Sequence, residues 1–301
     1  MAERLTAVLA SHNRREKTLS CLASLAAQAG LDVDVDVVLL DDASTDGTPG
    51  AVAVGFPQVR VLTGDGQRFW NGGMRLAMDA AVQTHPDLLL WLNDDVVLDR
   101  HALATLLAAR AALARRGFGN AIVGGAVRDP LGGGLTYGGV QRRSRLRRLR
   151  FDLVPMAPEP VQVETMHGNC VLLPRGVVER VGNLDPAYRH ALGDFDYGLR
   201  ARAAGCSVWM APGTVGTCPQ GAARNNGGFC NPDGNFLLEG RCNNGSCDRC
   251  TGNNGVCAVG SSCCSGNCEQ GFCGLCKGGA LPCQFGSECC SGVCNGVVCI
   301  G

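Results

Sequence analysis

Apolar and polar positions change period repeatedly along the first hundred residues. Residues 4–10 (RLTAVLA) make a short strand-length apolar run, after which Leu19, Leu22 and Leu25 recur every third residue, as on one helical face. Residues 35–40 (VDVVLL) read as a second strand. It ends in DDASTDGT, whose Asp, Ser and Gly mark a turn into a helix. VRVLTG (59–64) is a third strand. NGGMRLAMDAAVQ (71–83) opens on glycines and continues with Met74, Met78 and Val82 on one helical face, and DLLLWL (87–92) is a fourth strand. Strands alternating with helices predict an α/β fold, a mostly parallel sheet with helices on both faces. Ligands of such sheets bind outside the carboxyl ends of the strands. Two strands end in acidic pairs, Asp41-Asp42 and Asp94-Asp95, so both pairs are expected to face one crevice.

Composition divides the chain. Lys and Arg total 27, as do Asp and Glu, so net charge points to neither a nucleic-acid nor a membrane partner. The opening MAERLTAVLASHNRREK has too short an apolar stretch for a signal peptide and reads as a first strand in a cytosolic chain. No run of 18 uncharged apolar residues suggests a membrane span. Of 19 cysteines, however, only Cys21, Cys170 and Cys206 precede residue 217, and glycine also thickens beyond it. The expected boundary lies there, with domains at 1–217 and 218–301.

Asp41, Asp42 and Asp46 suit helix capping as well as ligand binding. Asp94-Asp95 is harder to account for, because adjacent carboxylates at a strand exit repel unless a cation lies beside them. Hard oxygen ligands suit Mg²⁺ or Mn²⁺, which use one or two protein carboxylates and let substrate phosphates complete the shell. Six segments then occur in order: VLASHNRREKTLSCLASLAAQ, VVLLDDASTDGT, RFWNGGMRLAMDAA, LWLNDDVVLD, HGNCVLLPRGVVERVGNLDP and GDFDYGLRARAAG. On these, residues 4–217 resemble a family 2 glycosyltransferase of the GT-A nucleotide-sugar-binding fold, similar to rhamnosyl- and galactofuranosyltransferases.

The resemblance implies a nucleotide-sugar donor bound by Ser11, Asp41, Asp42 and Asp94, with Asp95 as ligand of Mg²⁺ or Mn²⁺. It places Asp194 as general base, although Gly193 stands where the family usually has Glu. Inverting transfer needs a carboxylate to take the acceptor hydroxyl's proton and a divalent cation against the departing diphosphate. The competing reading makes Asp194 a helix N-cap. Trp70, His167 and Asn169 are candidates for the acceptor pocket, while Trp91 and Trp209 read as core. The acceptor would be a glycan or a lipid-linked sugar in cell-surface polysaccharide or glycolipid synthesis. Six arginines crowd residues 142–150; they read as a solvated loop or as a peripheral contact with a polyprenyl diphosphate or the inner membrane face. A sugar nucleotidyltransferase would want a glycine-rich loop after the first strand, and ASHNRREKT has none.

The last 84 residues repeat C-x6-C-x5-CC-x3-C-x4-C at 250–273 and 276–299. Units this small and glycine-rich need staples. The spacing resembles an inhibitor cystine knot, which implies Cys250–Cys264, Cys257–Cys268 and Cys263–Cys273, then Cys276–Cys290, Cys283–Cys294 and Cys289–Cys299. Zinc held by Cys247, Cys250, Cys273 and Cys276 is the alternative, and it leaves the vicinal pairs unexplained. Disulfides require an oxidising compartment, which conflicts with a cytosolic transferase. The other reading of the whole chain is therefore a binding protein that acts through its tail, beside a truncated or inactive transferase-like domain.

Overall fold

In a computed structural model that describes residues 2–131, 133–143 and 151–218, and the backbone of 242–243, 246–247, 268–269 and 272–273, the apolar runs become strands β1 (Glu3–Ser11), β2 (Val33–Asp41), β3 (Arg60–Thr63) and β4 (Leu88–Leu92). Between them lie α1 (Arg15–Ala26), α2 (Thr48–Gly55) and α3 (Phe69–Val82). Beyond β4 come β5 (Val97–Leu98), α4 (Ala102–Arg115), β6 (Ala121–Arg128), β7 (Leu135–Tyr137), β8 (Gly139–Arg142), β9 (Phe151–Leu153), β10 (Val161–Val163) and β11 (Thr165–Met166). The order closes with β12 (Cys170–Pro174), α5 (Arg175–Val181), α6 (Gly193–Ala203) and β13 (Ser207–Thr217). Within residues 223–301, a unit separate from 1–222, short antiparallel backbone pairs join Cys242–Asn243 to Ser246–Cys247 and Cys268–Glu269 to Phe272–Cys273. The cystine-knot and zinc expectations rest on side chains that lie outside the described residues, as does most of the arginine run.

The main sheet runs β10-β13-β6-β12-β4-β1-β2-β3. Strands β3, β2, β1 and β4 are parallel, as the alternation predicts, and β13 is parallel to β6. Strand β12 is antiparallel to both β4 and β6. Alternate residues of each strand enter opposite layers. Leu5, Leu9, Leu88, Leu90 and Leu92 pack with Leu22 and Leu25 of α1 and Leu103 and Leu106 of α4. On the other face Val8, Val38, Leu40, Leu89 and Trp91 meet Met74 and Met78 of α3 and Tyr197 of α6. Coverage on both faces is why β4 is apolar throughout. Trp91 and Trp209 are both buried. Among the described residues no helix is long and apolar enough to cross a membrane.

Register decides what meets at the sheet's edge. Ser11 lies opposite Asp41, Asp41 opposite Thr63, and Leu92 opposite Cys170. The carboxyl ends of β1, β2 and β4 therefore share one crest with the start of the reversed strand β12. Strand β13 also ends there, because Gly216 and Thr217 pair with Leu98 and Val97.

Candidate functional site

The loops leaving β1 and β2 are stitched to each other. Asn13 N–H donates to Ser44 Oγ at 2.9 Å, Thr45 N–H donates to Asn13 Oδ1 at 2.7 Å, and His12 Nδ1 lies 2.6 Å from Asp42 O. Four non-glycine residues around the crest, Asn13, Ala43, Phe69 and Leu192, hold left-handed φ values between 51° and 70°. Such backbone costs energy and persists only where surroundings fix it.

The acidic residues of β2 divide their work. Asp46 accepts Thr48 N–H at the start of α2 and Arg15 N–H at the start of α1, at 3.0 and 2.9 Å. Asp42 accepts the amides of Gly66, Arg68 and Phe69 at 2.8, 2.8 and 3.2 Å. It thereby meets donors that the start of α3 would otherwise leave unpaired. Asp42 holds a loop, and Asp46 ties the starts of α1 and α2 together. Asp41 differs: Oδ2 accepts Ser44 N–H at 3.0 Å, while Oδ1 is buried without a hydrogen-bond partner. Ser11 Oγ lies 2.7 Å from Thr18 Oγ1.

Beyond β4, Asp94 and Asp95 are 2% and 7% exposed, a depth at which paired charges need compensation. Arg14 provides it. Its Nη1 donates to Asp94 Oδ1 at 2.9 Å and its Nη2 to Asp95 Oδ2. Cys218 Sγ lies 3.6 Å from Asp95 Oδ1. Burial raises the Asp94 pKa; Arg14 opposes that shift and the neighbouring Asp95 adds to it. Asp94 Oδ2 remains buried and without a hydrogen-bond partner.

These residues fit a divalent cation of the Mg²⁺ or Mn²⁺ kind. Asp94 Oδ2 is a hard oxygen left unused, and Asp95 adjoins it. Among the described residues no group of three or more His, Cys, Asp or Glu could hold an ion unaided. The donor set therefore suits an ion whose shell is completed by a ligand's phosphates.

From this pair a continuous floor leads to Asp194. Trp70 Nε1–H donates to Asn93 Oδ1 at 2.7 Å, and Asn93 N–H donates to Asn169 O at 2.9 Å. The Trp70 ring lies so close to Gly168 that any side chain there would collide with it. Gly168 N–H donates to Asp194 Oδ2 at 2.8 Å, and Phe195 N–H donates to Asp194 Oδ1 at 2.9 Å. Leu192, not Asp194, occupies the N-cap position of α6. Burial pushes the Asp194 carboxyl up to about 6, against the lowering effect of these amides.

His167 and Asn169 flank Gly168 but turn to other partners. His167 Nδ1 lies 2.9 Å from Gly138 O, and burial lowers its pKa to about 4, so the ring is neutral near pH 7. Asn169 Nδ2 lies 3.8 Å from Cys218 Sγ. Gly193 has a local cause. A Cβ there would fall on Asn71, whose Nδ2 donates to Asp185 O at 2.9 Å and Tyr188 O at 2.7 Å. Asn71 thus fills the room a glutamate would need and ties the loop before α6 to α3. Sequence reasoning passed over Arg14, Asn71 and Cys218. Arg14 could have been sought as the nearest base after a neighbouring strand end.

Comparisons with known proteins identify the family and the fold. A sequence model described as "Glycosyltransferase like family 2" matches residues 3–224. The N-acetylglucosaminyl-diphospho-decaprenol L-rhamnosyltransferases of two Mycobacterium tuberculosis strains are 29% identical over 202 residues, which cover 59% of this chain and 63% of theirs. The chain thus spans less than two thirds of these relatives. Among solved structures, GalNAc-T7 with UDP, GalNAc and Mn²⁺ has a TM-score of 0.52 at 15% identity, covering 70% of this chain and 43% of that one. S. aureus TarS has a TM-score of 0.53 at 14% identity, covering 72% and 36%. Both likenesses concern the GT-A-like fold.

Proposed function

Since the chain belongs to the glycosyltransferase-like family 2, we propose that it transfers a sugar from a nucleoside-diphosphate donor to an acceptor hydroxyl, with inversion, at the crest described above. The observation that carries this reading is Asp194: a part-buried carboxylate held by two backbone amides at one end of a floor whose other end is the Asp94-Asp95 pair. A carboxyl with a pKa near 6 is ionised at neutral pH yet basic enough to accept a proton.

In this reading Asp194 takes the acceptor hydroxyl's proton as that oxygen attacks the anomeric carbon and the bond to the diphosphate breaks. The amides of Gly168 and Phe195 fix the carboxylate's orientation and stabilise its charged form before the proton arrives. Trp70 holds Asn93, and so the carboxylate pair, at a fixed distance from the base. Asp41 offers its unpartnered Oδ1 to a donor hydroxyl or base N–H at the end of β2. Asp42 contributes by holding the loop after β3. A Mg²⁺ or Mn²⁺ held by Asp95 and Asp94 would supply positive charge against the departing diphosphate.

Similarity to the mycobacterial rhamnosyltransferases supports a deoxyhexose donor and a lipid-linked diphosphate acceptor in cell-surface polysaccharide synthesis. A thermal-shift screen of UDP, GDP and dTDP, each with and without Mn²⁺, tests the donor site, because a ligand of the native state raises its apparent stability. A Mn²⁺-dependent rise with one nucleotide is expected. No rise with any of them would refute the reading.

A further inference from the structure

Arg14 is anchored where it can serve two partners. It precedes α1, and its backbone carbonyl accepts Thr18 N–H at 2.9 Å and Thr18 Oγ1–H at 3.0 Å, so the backbone is fixed while the side chain reaches across to β4. Its two terminal nitrogens engage one oxygen each from Asp94 and Asp95, an arrangement a lysine ammonium could not copy. The side chain is only 8% exposed. The ion pair is nevertheless incomplete on both sides: Arg14 Nε and Asp94 Oδ2 are each buried without a hydrogen-bond partner. An unpartnered Nε also occurs in the Arg110–Glu3 pair, so the spare acceptor Asp94 Oδ2 is what suits this pair to exchange partners.

We infer that Arg14 is a resident counter-ion of the metal-free site, which a divalent cation must displace from Asp94 and Asp95 and which then pairs with the donor's diphosphate. The inference rests on the metal reading of the pair given above and extends it to the order and coupling of binding. A cation alone has to compete with a two-pronged guanidinium. When a diphosphate arrives with the cation, the freed guanidinium gains a new anion of the kind it binds bidentately. Arg14 thus makes cation and nucleotide binding mutually favourable, and by linkage each raises the other's affinity by the same factor.

The test measures Mn²⁺ binding to the full chain from the free-ion EPR signal, first with Mn²⁺ alone and then with UDP, GDP or dTDP added. Arg14→Gln should bind Mn²⁺ alone about tenfold more tightly than the wild type and should lose most of the nucleotide's enhancement, a change within the usual range of coupling between sites. Arg14→Lys, with one charge and no fork, should lie between the two. Removing Arg14 leaves two buried carboxylates unpaired, so Arg14→Gln should also gain more thermal stability from Mn²⁺ than the wild type does. If Arg14→Gln does not fold even with Mn²⁺, Arg14→Lys decides by the same comparison with the wild type. Equal or weaker Mn²⁺ affinity in the deciding variant, with wild-type binding of Mn²⁺ and nucleotide intact, overturns the inference alone. A wild type that takes up no Mn²⁺ with any nucleotide overturns the metal reading as well.

Discussion

Asp194→Asn separates a part-buried base from a structural carboxylate through its pH dependence. Burial holds the Asp194 carboxyl at about 6 in the folded chain, against an ordinary 3.8. That difference corresponds to about 3 kcal/mol. The folded state binds this proton more tightly than the unfolded state. The stability is therefore fully present below about pH 4 and is lost as pH rises through about 6. Asparagine does not titrate, so it escapes the loss. It also keeps one acceptor oxygen but turns an amide N–H₂ toward the second backbone donor, leaving a buried N–H unmet at about 1–3 kcal/mol. That cost is the same at every pH. Urea unfolding of both proteins at half-unit intervals from pH 4.5 to 8 should show the variant's relative stability climbing by about 2 kcal/mol, the part of the difference that lies above pH 4.5, and levelling above pH 7. Sugar transfer at pH 7.5 should fall by about 10²–10⁴-fold, with nucleotide binding retained. A stability difference that stays flat with pH would refute the burial argument. Transfer within a few-fold of the wild type would refute the assignment of the base.

Asp95→Ala should abolish the Mn²⁺-dependent part of nucleoside diphosphate binding in calorimetry, and unchanged affinity would remove Asp95 from the cation site. The acid limb of kcat/KM should fall near pH 6 and stay there in His167→Asn, because the buried histidine remains neutral down to about pH 4. A limb that moves would assign it to the imidazole. Gly193→Glu, which restores the glutamate usual in the family, should destabilise by about 1–3 kcal/mol through collision with Asn71. Gly193→Ala should already show much of that loss in its melting temperature, since the collision begins at Cβ. A chain ending at Ala222 should bind nucleotide as the full chain does. One ending at Thr217 should melt lower, because it lacks Cys218, which is fully buried and donates its N–H to Arg128 O at 2.9 Å.

Legibility in the sequence followed strand direction. Parallel strands place all their carboxyl ends on one side, so Ser11, Asp41 and Asp94-Asp95 could be brought to one crest from period and order alone. The reversed strands could not be placed in this way. β12 is buried on both faces, and its five residues, CVLLP, carry no mark of direction. His167, Gly168 and Asn169 were reached only through a motif. β13 returns its end to the crest by pairing with the two-residue β5, too short to recognise in the sequence. Cysteine density assigned Cys218 to the tail, yet its Sγ lies against Asp95. The division between Asp41 and Asp42 was equally hidden, because it depends on which carboxylate meets the amides of a loop 24 to 27 residues later.

The carboxylate pair shows how far charge arguments reach from sequence. Two adjacent acids at the mouth of a buried strand require positive charge beside them, whatever its source. Sequence distance could not reveal that a residue 80 positions earlier supplies it. The same parallel register that aligns Ser11 with Asp41 carries the β1 loop over the end of β4, and so sets Arg14 across from Asp94 and Asp95. An all-protein ion pair at this point neutralises charge that would otherwise oppose burial. It also makes the site harder for a bare cation to occupy than for a cation that arrives with a diphosphate. Stability of the carboxylate pair and selectivity for the loaded donor then follow from one guanidinium, and the Arg14 variants should change both together.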